Sequence, residues 1–135
     1  MANYYGGART NYVRVSDMDG LVEFLEDWPI KIDNRDGKVA FFSIDEDSGG
    51  WPSWRLNDEG EDIEFDFGEL MMFVEPGEVL VLMETGAEKL RYLVGYAAAY
   101  IRTGGEVKHC SVNIDEIYKR ASEKFDVDVS KIDNF

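Results

Sequence analysis

The chain has 135 residues, with 28 Asp and Glu against 14 Lys and Arg, a formal charge of −14. That length fits one domain, and 44% hydrophobic residues with eight Phe, seven Tyr and three Trp suffice for a core, which excludes an acidic disordered chain. The charge repels DNA, RNA and anionic membranes and attracts basic surfaces. No apolar run approaches the roughly 18 residues of a membrane-spanning helix. The N-terminus lacks the basic and apolar regions of a signal peptide. A single cysteine, Cys110, excludes an internal disulfide. These features predict a cytoplasmic protein.

In chain order, residues 1–9 are polar, aromatic and glycine-containing and read as a short N-terminal arm. Thr10–Val15 alternates and is β-branched, which predicts the first strand. Ser16 is placed to cap a helix with Leu21, Val22, Phe24, Leu25 and Trp28 on its apolar face, ended by Pro29. Ile30–Ile32 and Lys38–Ile44 form a predicted hairpin across the turn-rich Asp33–Gly37. Trp51–Leu56 reads as an irregular aromatic segment or short strand. Ile63, Phe65 and Phe67 alternate as in a strand, whereas Phe67, Leu70, Met71 and Val74 have helical spacing; a short helix over about Gly68–Val74 is favoured.

Val79–Glu84 is a predicted central strand, with a bend or bulge at Thr85-Gly86. Leu90–Ile101 is rich in alanine, but Tyr92, Val94, Tyr96 and Ile101 favour a long strand and Gly95 disfavours a helix. Arg102–Gly105 turns into a further strand, Glu106–Val112. Asn113 and Glu116 have capping-box spacing and open a helix to about Phe125, with Ile117, Ala121 and Phe125 on one face. Residues 126–135 read as a loosely attached tail. The expected fold is α+β: a largely antiparallel sheet of five to six strands with two or three helices packed on it.

Few residues offer chemistry. His109 and Cys110 are neighbours on a predicted strand, so their side chains point to opposite faces and cannot pair as base and nucleophile. One His and one Cys cannot supply a zinc ligand set. Asp45–Gly50 loosely suggests a calcium loop, but Gly49 and Leu56 stand where oxygen ligands are needed. Gly6-Gly7 and Gly104-Gly105 lack the spacing of a phosphate cradle. No catalysis, metal or cofactor is expected.

The remaining signal is charge. Asp45–Glu69 holds ten acids and one base, Arg55, for a net −9. Carboxylates can stand in for phosphates, and aromatic residues among them add contact area. The candidate partner-binding residues are therefore Asp45, Glu46, Asp47, Trp51, Trp54, Asp58, Glu59, Glu61, Asp62 and Glu64. The bland reading is a solvated, solubilising face. An alternative is a ligand-binding or hydrolytic protein with a pocket lined by Trp51, Trp54 and the tyrosines. A third is an oligomer assembled through an exposed sheet edge.

Asn3–Val15 (NYYGGARTNYVRV) resembles the opening of small accessory proteins carried by phages and plasmids. Leu82–Tyr92 (LMETGAEKLRY), followed by Gly95-Tyr96-Ala97, resembles a second signature of that group. Together they cover about a fifth of the chain, and Asp45–Glu69 lies outside both. Because such proteins are often found near anti-restriction genes, the resemblance implies an anti-defence role, anti-CRISPR or anti-restriction. The implied partner is a basic nucleic-acid-binding host protein, a CRISPR effector or restriction enzyme subunit, with no direct contact to nucleic acid or membrane. If the two signatures were the functional surface, Arg9, Arg14, Lys89 and Arg91 would matter more than the acids; alternatively these bases neutralise acids across the sheet.

Overall fold

The computed structural model describes residues 4–45, 49–88 and 92–129. Its frame is a six-stranded antiparallel sheet. The strands are β1 (Tyr4–Thr10), β2 (Ile30–Arg35), β3 (Lys38–Ser43), β6 (Val79–Glu88), β7 (Tyr92–Thr103) and β8 (Glu106–Asn113), in the spatial order β2-β3-β1-β6-β7-β8. A separate two-stranded hairpin pairs β4 (Trp54–Leu56) with β5 (Asp62–Glu64). The described residues also form three helices: α1 (Met18–Leu25), α2 (Phe67–Leu70), which runs into a 3-10 turn at Met71–Phe73, and α3 (Glu116–Phe125). The α+β class and antiparallel sheet agree with the sequence reading.

One face of the sheet builds the core. Strand alternation puts Leu80 and Leu82 of β6 opposite Tyr100 and Ala98 of β7 on the inner face. Val39 and Phe41 of β3 extend that face, and Leu21, Leu25, Leu70, Met71 and Val74 cover it from the helices and the 3-10 turn. Phe41, Leu21, Leu70, Met71 and Leu80 are fully buried. Burying each such side chain contributes about 1.5–3 kcal/mol, which offsets the self-repulsion of an acidic chain. Arg102 ties the 3-10 segment to the sheet: Nε donates to the Met71 carbonyl at 2.9 Å and Nη2 to the Val74 carbonyl at 2.7 Å.

Several boundaries differ from the expectations. The first strand is Tyr4–Thr10, inside the sheet, where the sequence suggested an arm followed by a strand over Thr10–Val15. Residues 11–15 make only isolated bridges, Val13 to Val39 and Val15 to Val74. Gly49 serves close packing on β1: at φ +71°, a Cβ there would overlap the Gly6 carbonyl. Asp17, not Ser16, caps α1, with Oδ1 accepting from Gly20 N at 3.0 Å. Ser16 bonds the Phe73 carbonyl instead.

The β2–β3 hairpin closes in two residues, Asp36 (φ 55°) and Gly37 (φ 81°), the positive pair that a tight antiparallel turn needs. Thr85-Gly86 carries no bulge, because register is continuous through both neighbours. Asn113 ends β8 rather than capping a helix, and Asp115 stands at the α3 N-terminus.

The largest departure is α3. No residue of this helix is buried, and Ile117 and Phe125, expected to pack on the sheet, are 61% and 65% exposed. The tail begins at Asp126 in the left-handed region, and Val129 N donates to Ser122 Oγ at 3.0 Å. Residues 1–3 of the expected arm and 130–135 of the tail lie outside the described residues.

Thr10 joins β1 to β3 in the core. It is 2% exposed, and its Oγ1 accepts from Phe41 N at 2.9 Å while donating to the Asn11 carbonyl at 2.8 Å. Thr10→Val orphans the Phe41 N–H, so urea denaturation should report a loss of about 1–3 kcal/mol. Thr10→Ser, which keeps the hydroxyl, should lose less.

Candidate acidic interface

The β4–β5 hairpin sorts its residues by alternation. Arg55 and Ile63 are paired and half-buried, whereas Trp54 and Leu56 are exposed opposite Glu64 and Asp62. Two apolar side chains and two carboxylates thus share the solvent face of the hairpin. The turn between the strands adds Asp58, Glu59 and Glu61, all exposed. Asn57 shapes this turn: its Oδ1 accepts from Glu59 N at 2.9 Å and Glu61 N at 2.8 Å. Gly60, at φ +78°, supplies the left-handed residue.

Among the described residues, Asp58, Glu59, Glu61, Asp62 and Glu64 form no ion pair. Their charge stands unneutralised in solvent. Asp62 and Glu64 lie two positions apart on one face, about 6.7 Å along the strand, twice the ~3.4 Å axial spacing of phosphates on one DNA strand. A concavity of about 530 Å³ beside them is lined by Pro52, Ser53, Trp54, Asp62, Glu64 and Phe65. Trp54 is 60% exposed and provides the apolar part of this surface.

The hairpin is anchored from behind by aromatic packing. Phe65 lies 4.9 Å from Trp28 and 4.9 Å from Phe67, both edge-on, and 5.9 Å from Phe24. Arg55 stacks over Trp28 at 5.2 Å and reaches Asp27 at 3.6 Å. These contacts bring α1 beside the hairpin, with its exposed Glu23, Glu26 and Asp27. Sequence reasoning did not assign these acids to the interface. The signal was available in the polar side of the amphipathic α1, but nothing in the linear order places that helix next to β4.

The other expected interface residues separate from this group. Trp51 is half-buried and packs edge-on against Phe67 at 5.2 Å, so it supports the core margin. Trp51 does not line the concavity beside Trp54, so the two tryptophans do not frame a common pocket there. The Trp51 backbone N–H donates to Glu84 Oε1 at 2.7 Å, which holds the β3–β4 loop against the inner face of β6. Asp45 begins this loop, half-buried, with its N–H on Ser43 Oγ at 3.3 Å. Glu46 and Asp47 lie outside the described residues.

His109 stacks on Tyr100 at 5.3 Å, and both His109 and Cys110 are exposed. Both border one open concavity with Val79, Ala99, Tyr100, Ile101 and Lys108. Among the described residues, no group of three or more His, Cys, Asp or Glu side chains is placed to hold a metal ion. Among the described residues, no helix is long and apolar enough to cross a membrane.

The bases follow a different rule from the acids. Arg9 does not neutralise an acid across the sheet: its cross-strand neighbours are Phe42 on β3 and Met83 on β6. Its guanidinium lies over the Phe42 ring at 4.6 Å and 6.0 Å from the Tyr12 ring, and Arg35 lies 5.2 Å from the same tyrosine. Arg14 offers its backbone N–H to Glu78 Oε1 at 2.8 Å. Lys89 and Arg91 lie outside the described residues.

The chain matches no protein-family model, no curated protein and no solved structure.

Tyr12 gives a titration test of the basic side. Its hydroxyl donates to Asp33 Oδ2 at 2.6 Å, and this bond, before partial desolvation, raises the phenol above its ordinary 10.0. A raised folded value adds stability that is fully present below the unfolded pKa and disappears as pH rises through the folded value. In alkaline titration followed at the tyrosinate absorbance, the difference between wild type and Tyr12→Phe should be one late-titrating phenol. Asp33→Asn should bring that phenol earlier.

Proposed function

We propose that the chain is an anti-defence inhibitor that occupies the basic groove of a host nucleic-acid-handling protein, such as a CRISPR effector or a restriction enzyme subunit. One observation carries this reading: Asp58, Glu59, Glu61, Asp62 and Glu64 are all exposed on one hairpin, unpaired, beside an exposed Trp54. A merely solubilising face has no need of an exposed tryptophan, which presents costly apolar surface to water. In an interface, the same ring supplies a desolvated anchor among charges that steer the encounter. Catalysis and a cofactor have no part in this mechanism. The resemblance of Asn3–Val15 and Leu82–Tyr92 to phage and plasmid accessory proteins supports the anti-defence setting.

The physical sequence begins with attraction between the acidic field and the basic groove, felt over about a Debye length of 8 Å at physiological salt. The hairpin then competes with the nucleic-acid backbone for the same Lys and Arg side chains. Because Arg55 is held by Asp27 and Trp28, the hairpin stays presented rather than collapsing onto its own base. Glu23, Glu26 and Asp27 extend the negative surface along α1.

The test is capture from a bacterial lysate with the tagged protein, at low and high salt. A nuclease, CRISPR complex or restriction subunit that is retained at low salt and released at high salt is the expected result. Reversal of Asp58, Glu61, Asp62 and Glu64 to Lys should abolish capture and leave the far-UV circular dichroism unchanged. Trp54→Ala should weaken it about 30-fold or more, the loss of a hot-spot side chain worth ~2 kcal/mol. Undiminished capture by the four-fold reversal would sink the proposal.

A further inference from the structure

The outer face of the sheet carries a second, oppositely charged site. We infer that Arg9, Lys31 and Arg35 form a binding site for a small phosphate-bearing anion, separate from the acidic hairpin.

The three bases come from β1 and β2. Together with Tyr12, Asp33 and Phe42 they line a concavity of about 360 Å³. Volumes of this order hold small ligands. Lys31 and Asp33 alternate with Arg35 along β2, so all three point outward, as does Arg9, paired with Phe42.

The chain holds twice as many acids as bases, so each base has a surplus of potential carboxylate partners. None of these three has one: among the described residues Arg9, Lys31 and Arg35 form no ion pair. The lone carboxylate in the concavity, Asp33, accepts the Tyr12 hydroxyl at 2.6 Å. Three cations and one carboxylate leave the concavity at net +2 within a −14 chain.

Aromatic rings hold these cations in place. Phe42, Arg9, Tyr12 and Arg35 form a ladder with centroid distances of 4.6, 6.0 and 5.2 Å. Cation–π attraction favours holding the guanidinium groups beside these rings and does not use their N–H donors. Arg9 uses only Nε, on the neighbouring Thr10 carbonyl at 3.2 Å. Its Nη groups, the Arg35 guanidinium and Lys31 Nζ have no protein acceptor among the described residues. Planar forks with free edges match the oxygens of a phosphate in pairs.

Size decides between anions. A polynucleotide spans the whole protein and meets its full negative field. A small phosphate ester sits within one Debye length, about 8 Å, where the local +2 dominates.

The test is isothermal titration of the intact protein with pyrophosphate, ATP and adenosine. Sodium chloride holds ionic strength constant, because any salt stabilises a −14 chain by screening. Pyrophosphate or ATP should bind saturably and adenosine should not. Equal binding of the two anions assigns the site to the phosphate alone; tighter ATP assigns it to a nucleotide. Arg9→Gln with Arg35→Gln should weaken binding about 10-fold or more, as should Lys31→Gln alone to a smaller degree. All three side chains are exposed, and circular dichroism checks that the variants fold. Absence of saturation up to about 10 mM of either anion, or undiminished affinity in the double variant, would overturn the inference.

Discussion

Burial on one side of the six-stranded sheet governs where every other feature of the chain can lie. The inner face holds Leu80, Leu82, Ala98, Val39 and Phe41, and α1, α2 and the 3-10 turn seal it. The outer face exposes Met83, Leu93 and Val112 toward the β8 side, and the Arg9–Tyr12–Arg35 ladder toward the β2 side. Removing apolar area from water on one face supplies the stability. It also leaves long surfaces whose chemistry the core does not dictate.

Charge is segregated on this frame. The hairpin and α1 carry carboxylates with Arg55 as their nearby base, and that base is held by Asp27 and Trp28. The outer sheet concavity carries cations stacked on rings. Such separation raises self-repulsion locally and lowers stability relative to an interleaved pattern of pairs. A fold that tolerates this cost on two surfaces retains two distinct electrostatic potentials for ligands of opposite sign.

Strands with clear alternation or β-branched content were readable: the β2–β3 hairpin, β6, β7 and β8 all lie close to their expected places. Gly95 and the flanking aromatics outweighed the alanines of β7 because two neighbours supply its ladder bonds. The Gly6-Gly7 pair lowers strand propensity and hides β1 in the sequence, whereas in the fold pairing with β3 and β6 on its two sides holds the segment extended. The cap at Asp17 was missed in favour of Ser16, whose hydroxyl is engaged by the distant Phe73 carbonyl.

The acidic hairpin is local in sequence, so its composition, its turn at Asn57–Glu61 and the exposure expected of its charges could be read directly. The sequence by itself determined the charge balance, the fold class and the acidic turn at Asn57–Glu61. Tertiary structure decided the rest: Trp54 and Glu64 paired across the β4–β5 hairpin, Trp51 turned inward onto Phe67, α1 acids brought beside the hairpin, α3 left uncovered, and three bases from two strands gathered around one carboxylate, Asp33. Alternation and propensity act over a few residues, whereas these placements depend on which distant surfaces exclude water together, and periodicity along the chain does not encode that choice.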